Sequence, residues 1–595
     1  MPAMDQFSAA GKPGEAGDFA ARDSASAPKS DTEFVPGEFV PGEFEHGGGH
    51  SGGAAPSATG AAASGPGGPQ SPEGAAATAG HSAQQSGAAQ AWTALGGDPA
   101  LLARVSRERR AGLLPSALPV LELASATVAA CSLAAAEFSC VRARSALLPP
   151  VRVDDGAVAT AFLSDRLVRI DGRAPVTFAP LSRFWRTADG WVRTHANYPH
   201  HRARLLSALG MSDHGPAEDE AAAGRVATEL AGRQALDVEE AVYAEGGLAV
   251  AVRTPEEWES HPQRAAVAPT PLVSLSRLDG APTPALDGPP GPGGLRGLRV
   301  LDLTRVLAGP VATRTLALLG ADVLRIDAPE RPEFLDTHAD TNLGKRSTLL
   351  DLSSRAGQTT FEELLASAHV VVTGYRPGAL DRFGLAPESL MDRRPGLVVG
   401  QLSAWGAHGP WQRRRGFDSL VQAATGIACL EAAGGSGTAG KVSSSPDLTP
   451  GALPAQALDH GSGYLLAAGL LRALTEQRTG TAGSRLVRLS LARTAHWLLH
   501  DLPAAEAGTG AGTGAGTEPG AQPGGAAREA AGAAQPAFDQ APWLTEADSP
   551  LGRLRYALSP VGFGPAGSAT PSAAGSPLDW ARVTGQVGGD ATEWV

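Results

Sequence analysis

RVLDLTRVLAGPVATRTLALLGADVLRID, Arg299–Asp327, decides the fold. RVLDL (Arg299–Leu303) reads as a strand that runs into a Gly309-Pro310 turn. ATRTLALLG then reads as a helix, and ADVLRID as a second strand. The alternation continues downstream. A helix over 358–366 leads to the strand HVVVTG, and LVVGQLS opens another strand at Leu397. Strands separated by helices imply a parallel sheet covered on both faces. The C-terminal half is therefore α/β.

Upstream the pattern changes. PTPALDGPPGPGG (Pro282–Gly294) is a Pro/Gly linker, and residues 91–281 before it read as a mixed α+β unit. Leu118–Phe138 reads as helix, and Val151–Val168 alternates towards strands. FWRTADGWVRTHANYPHHRARLLSALG, Phe184–Gly210, is a strand, a turn at Asp189-Gly190, then a helix entered after Pro199. Residues 221–246 read as helices. RTPEEWESHPQ (Arg253–Gln263) has the form of a capped short helix, with Thr254 as N-cap, Pro255 at the first position and Glu257 at the third. Residues 1–90 form a Gly/Ala/Ser/Pro tract with the small repeat EFVPGEFVPGEF at Glu33–Phe44, a composition expected to be disordered. GTGAGTGAGTEPGAQPGG marks a second low-complexity insert over 506–535. The expected order is thus tail 1–90, α+β unit 91–281, linker 282–294, α/β domain 295–505, insert 506–535 and C-terminal segment 536–595.

The 595 residues are too many for one ordinary domain, and 49 basic against 61 acidic residues leave a formal charge of −12. That balance argues against a nucleic-acid partner, so a phosphate-bearing ligand needs a local basic cluster. Three cysteines give neither a disulfide framework nor a metal-ligand spacing, which points to a reduced, cytoplasmic setting. No signal peptide and no membrane span are expected.

The common catalytic motifs GxxxxGK[ST], GxSxG and HExxH are absent, and no GxGxxG follows the first strand. HANYPHH (His195–His201) is read as surface or interface histidines and not as a metal site, because adjacent His200 and His201 diverge by about 100° on a helix. The C-terminal unit carries more. After Val300–Pro310 and Gly320–Asp327 come TNLGKRSTLLDL (Thr341–Leu352), VTGYRPGALDRFGL (Val372–Leu385), SAWGAHGPWQRRRGFDSLVQAATG (Ser403–Gly426) and LPAQALDHGSGYLLAAGLLRAL (Leu453–Leu474).

In this order and spacing the motifs over residues 295–495 resemble the family III CoA-transferases, the family of the formyl-CoA and carnitine CoA-transferases. TADGWVRTHANYPHH and RTPEEWESHP resemble that family's small domain more loosely. The resemblance implies a Rossmann-like parallel-sheet large domain with an α+β small domain, no permanently bound cofactor, and coenzyme A as co-substrate. The partners it implies are an acyl-CoA and a small carboxylic acid, with a homodimer as the assembly. It places the carboxylate nucleophile at Asp459 and CoA contacts at Lys345, Arg346, Arg382 and Arg415. Arg376, Arg413 and Arg414 are further basic candidates. Asp459 read by itself is also an ordinary helix N-cap. A helix N-terminus would favour its ionised form. Gly461 and Gly463 would leave room for the thioester and offer amide donors.

The sequence departs from the family pattern at three places: Leu307 replaces a Gln, Gly374 an Asn, and Ala328-Pro329 a basic residue. Two other readings accompany the transferase. A 2-methylacyl-CoA racemase-like isomerase would need a histidine where Phe417 stands, and phenylalanine accepts no proton. A non-catalytic acyl-CoA-binding protein would keep the basic residues and lose the chemistry. The small-domain-like unit precedes the large one in the chain, with Leu118–Phe138 read as a remnant of a first large domain.

Overall fold

The structure is a computed structural model that describes residues 85–432, 449–503, 538–564, 578 and 580–595, all within one compact unit, His81–Val595. The repeat at Glu33–Phe44 and the 506–535 insert lie outside the described residues.

The chain joins the core earlier than the 1–90 boundary allows. Ser86 accepts the Ala89 N–H and starts helix α1 (Gly87–Ala94). Trp92 is fully buried there and donates its indole N–H to the Asp98 carbonyl at 2.8 Å. Next, strands β1 (Val105–Glu108) and β2 (Val151–Asp154) pair in parallel around the long helix α2 (Val120–Ala143). Beyond β2 the strands expected up to Val168 are mostly helix, because the Asp154 carboxylate accepts the Gly156 N–H and caps a turn. Helix α3 (Ser164–Leu167) and the short strand β3 (Arg169–Ile170) follow.

The α+β unit is smaller than 91–281. Its sheet, in the order β4 (Phe184–Arg186), β5 (Trp191–Thr194), β6 (Ala249–Ala251), is antiparallel and turns at Asp189-Gly190. Helices α4 (Pro199–Ala208), α5 (Asp219–Ala231) and α6 (Ala235–Ala244) bury Leu205, Val226 and Val242 with Trp185 and Val192 in a core of their own. The capping box at Thr254 forms as read, with the Glu257 N–H on the Thr254 hydroxyl and the Glu257 carboxylate on the Thr254 N–H.

The remaining strands build one large sheet. They are β7 (Ser274–Arg277), β8 (Arg299–Leu303), β9 (Asp322–Asp327), β10 (Arg346–Leu349), β11 (Val370–Thr373), β12 (Val398–Ser403) and β13 (Arg485–Ser490). Their order is β10-β9-β8-β11-β12-β13-β7, parallel throughout except for β7 at the edge. The strand order reverses beside β8, which opens a crevice at the carboxyl ends of the strands where ligands of open α/β sheets bind. Helices α7 (Ala308–Leu318), α8 (Asp418–Ala424) and α9 (Ala457–Thr479) surround that crevice.

The domain division expected from sequence therefore breaks in three places. β7, from the N-terminal side of the linker, closes the large sheet. α2 lies on α9 in the same core, where a side chain at Gly461 would come within 2.7 Å of Leu123. The linker is packed too, with the Thr283 hydroxyl on the Gln477 carbonyl at 2.8 Å. By length and composition α2 could cross a membrane, but 78% of its most apolar window is buried inside the protein. Finally, the C-terminal hairpin β14 (Leu544–Ser549) and β15 (Gly552–Ala557) adds to β3.

Candidate active site

Helix α9 begins without a capping side chain of its own at Gln456. Asp418, at the start of α8, supplies the cap from across the core: its Oδ2 accepts the Asp459 N–H at 2.9 Å and its Oδ1 the Gln422 amide at 2.5 Å. Asp459 is thus not the N-cap. It stands in the first turn, 6% exposed, and its carboxyl borders a cavity of about 70 Å³.

That cavity lies at the carboxyl end of β8. Val306 and Leu307 form one wall, and Val306 holds φ at +67°, a left-handed conformation costly for a β-branched residue. The strain is held by Glu333, which accepts the Val306 N–H at 2.9 Å and the Tyr198 hydroxyl at 2.7 Å. Arg325 fixes Glu333 in turn at 3.2 Å. The opposite wall is aromatic. His195 stacks on Phe417 with ring centroids 3.8 Å apart, and Tyr198 stacks on Phe334 at 4.7 Å. His195 and His201 are buried, contrary to the surface reading of HANYPHH. Burial first, then Arg193, pushes the His195 imidazole down to about 3, so it is neutral at pH 7.

Acidic groups dominate the electrostatics. Burial pushes the Asp459 carboxyl well above the ordinary range, and Asp418 and Asp165 push it further the same way. Asp418 is pushed up to about 6 by burial, against the Gln422 amide and the Asp459 N–H. Burial and the two neighbouring carboxyls thus favour the protonated form of free Asp459, against the dipole of α9. His460 is fully buried between the Phe162 ring, 5.2 Å away, and Asp165, whose Oδ1 lies 3.5 Å from Nε2.

A second cavity, about 340 Å³, is lined in part by the loop before Phe417. Gly246, Gly247, Tyr243 and the side chains of Arg376, Arg413, Arg414 and Arg415 line it. Arg414 is engaged by Glu239 and Glu240. Arg415 is exposed and reaches the Gly246 carbonyl at 3.2 Å. Its pKa is lowered by burial and by the neighbouring guanidinium groups of Arg376, Arg331 and Arg204, the signature of a cluster of unneutralised cations.

The other residues expected at a CoA site lie elsewhere. Lys345 is fully buried, its ammonium bonded to Asp302 at 2.9 Å and the Thr313 hydroxyl at 2.6 Å under the sheet. Arg346 grips Asp322 at 2.9 and 3.0 Å and the Glu593 carbonyl at 2.5 Å, tying the C-terminus to the sheet edge. Arg382 is exposed, lies over the Phe383 ring and lines neither cavity. Gly461 and Gly463 serve helix packing: a side chain at Gly463 would meet the Ala308 carbonyl at 2.6 Å, so neither glycine leaves room for a thioester.

Asp418 and Ser419 lay within the quoted GFDS stretch, but their roles depend on α9 arriving from elsewhere in the chain. Asp165 gave no signal, because it belongs to a stretch that alternates like a strand.

Residues 295–534 match the model of CoA-transferase family III. Over this segment the chain is similar to the family III CoA-transferases. "Probable fatty acyl-CoA transferase Rv3272" of Mycobacterium tuberculosis is 34% identical over 202 residues, 32% of this chain and 48% of that protein. Formyl-CoA:oxalate CoA-transferase of Streptomyces coelicolor is 32% identical over 32% of this chain and 46% of that one. Succinyl-CoA:glutarate CoA-transferase of mouse is 34% identical over 22% and 33%. The chain thus spans half or less of the length of these relatives. A crystal structure of Rv3272 aligns with 34% of this chain and 56% of its own, at 33% identity and a TM-score of 0.29. The family III match begins at residue 295, so Asp165, His195 and Tyr198 line the cavity beside Asp459 from outside the matched segment.

Proposed function

We propose that the protein is a CoA-transferase that moves CoA from an acyl-CoA to a carboxylic acid through covalent intermediates on Asp459. The observation that carries this reading is the buried Asp459 carboxyl at the head of α9, facing a cavity beside a cluster of open arginines. The arginines of the second cavity would hold the nucleotide phosphates, and the thioester would extend past Phe417 towards Asp459.

The steps balance with the proton that Asp459 retains. Its carboxyl oxygen attacks the thioester carbon, the carbon–sulfur bond breaks, and the proton leaves with the CoA thiol as a mixed anhydride forms. The thiol, as thiolate, then attacks the Asp459 carbonyl, releases the first acid and leaves an aspartyl-CoA thioester. The acceptor carboxylate reverses the sequence and departs as the new acyl-CoA. Burial favours the uncharged starting carboxyl and the uncharged anhydride alike over an ionised carboxylate.

One observation favours a second reading, α-proton exchange: His195 stacks on Phe417 and lines the same cavity. An imidazole pushed down to about 3 is a poor base, so the transferase reading is preferred. Mass spectrometry after incubation with a panel of acyl-CoAs and hydroxylamine separates them. A transferase yields an adduct on Asp459. Solvent exchange of the α-proton with no adduct would replace the transferase by the isomerase, and binding with neither would leave an acyl-CoA-binding protein.

A further inference from the structure

Asp165 reaches the cavity on α3, far upstream of the segment that matches the family. Two other acids of the wall are neutralised. Asp336 is held by Arg173, and Asp340 lies 2.9 Å from Arg314. Asp418 accepts the amides at the head of α9. Asp165 also lines the cavity, and no Lys or Arg pairs with it among the described residues. Its Oδ1 accepts no hydrogen bond, and the His460 Nε2 lies 3.5 Å from it. No lysine or arginine lines this cavity among the described residues.

Two polar groups point to what the cavity receives. His195 and Ser419 both line it and are 4% and 7% exposed, and the His195 Nδ1 and the Ser419 hydroxyl have no hydrogen-bond partner. Buried groups of this kind are normally satisfied, and here they suit an uncharged oxygen such as a thioester carbonyl. Around them the walls are aromatic, and Val176 and Phe334 carry apolar surface out to the rim. A second carboxylate on the substrate would meet Asp165 in a poorly hydrated space, with no cation to receive it.

We propose that Asp165 is a specificity residue that restricts the site to acids with a single carboxylate and an uncharged remainder, excluding dicarboxylates and their CoA thioesters. This rests on the transferase reading.

The test compares butyryl-CoA with succinyl-CoA, matched in carbon number, on the full chain. The rate of hydroxylamine-trapped labelling of Asp459 is the readout. Butyryl-CoA should label at least about tenfold faster, the equivalent of ~1.4 kcal/mol. Asp165→Asn should raise the succinyl-to-butyryl ratio by a similar factor. Asp165→Ser should do the same, which guards against a packing effect of one variant. Circular dichroism confirms that both variants fold. Equal labelling by the two thioesters in the wild type, or an unchanged ratio in both variants, overturns the assignment of Asp165 while leaving the transferase intact. Absence of an adduct from either thioester overturns the transferase reading, and this inference with it.

Discussion

The two cavities, one lined by Phe417 and the other by Arg413, Arg414 and Arg415 just before it, have opposite electrostatics. One is small, and in it burial disfavours ionisation of Asp418 and Asp459. The other is open and lined by arginines that have few counter-ions. Burial sets the difference. In the first cavity a charge is expensive, so protonation state and neutral intermediates govern what happens there. In the second a charge costs little, is shared with solvent and is screened by salt. The transfer proposed above would use both: a place for a strongly ionic nucleotide end and a place where uncharged intermediates are favoured.

The sharpest way to break this comparison is at Asp459. Asp459→Ala should lower CoA exchange by at least ~10³-fold, as expected when the group that forms the covalent bond is removed. CoA binding should persist, because the arginines are separate from the carboxyl. Isothermal titration beside an exchange assay checks both halves, and a joint loss would mean that the cavities are one site. Lys345 gives the next largest effect, in stability. Lys345→Ala leaves Asp302 as an uncompensated buried charge and should cost about 3–5 kcal/mol in chemical denaturation. The folded variant should bind CoA as the wild type does, whereas a residue that touched CoA would lose affinity.

Lys345 also shows what the sequence could and could not tell. Apolar strands between helices announced the sheet from Arg299 onwards, because a covered parallel strand needs apolar residues on both faces. The resemblance singled out Asp459, whose burial in the first turn of α9 then followed from the apolar run behind it. The fate of a cation is a different matter. GKRS reads as a basic cluster, yet Lys345 is consumed by Asp302, 43 residues upstream, and Arg346 by Asp322 and the C-terminus. Only the fold shows which charges are already neutralised. The domain boundaries failed for a related reason. β7 and α2 belong to the large core through long-range pairing with β13 and α9, which no local pattern encodes. Asp165 was invisible because a single acid in an alternating stretch carries no sign of the cavity it will border.

A smaller effect tests the open cavity. Arg415→Ala should weaken CoA binding about tenfold, the loss of one charge-assisted contact of ~1.4 kcal/mol. Wild-type affinity should itself fall between low and high salt, and less steeply in the variant. Arg382→Ala should change neither, since Arg382 stacks on Phe383 away from both cavities. A salt-independent affinity, or equal losses in the two variants, would place the nucleotide end elsewhere.

The smallest effect concerns the acidic cavity at rest. An aspartate ionises near pH 4 in an unfolded chain, and the folded Asp459 carboxyl is held well above that by burial and by Asp418 and Asp165. Below about pH 4 both states carry the proton, and the shift contributes nothing. As the pH rises past that point, the unfolded chain releases the proton and the native one does not, so stability falls until the folded carboxyl ionises too. Asp459→Asn removes this penalty while keeping the shape and the backbone N–H that Asp418 accepts. The variant should therefore melt a few degrees above the wild type at pH 7, with the gap closing towards pH 4. Each 1 kcal/mol is worth no more than about 2–4 °C in a chain of this size. A gap of the opposite sign at pH 7 would mean that Asp459 is ionised in the folded protein. The nucleophile would then start as a carboxylate, the proton delivered to the leaving thiol would have to come from another group, and the contrast between the two cavities would rest on shape instead of charge.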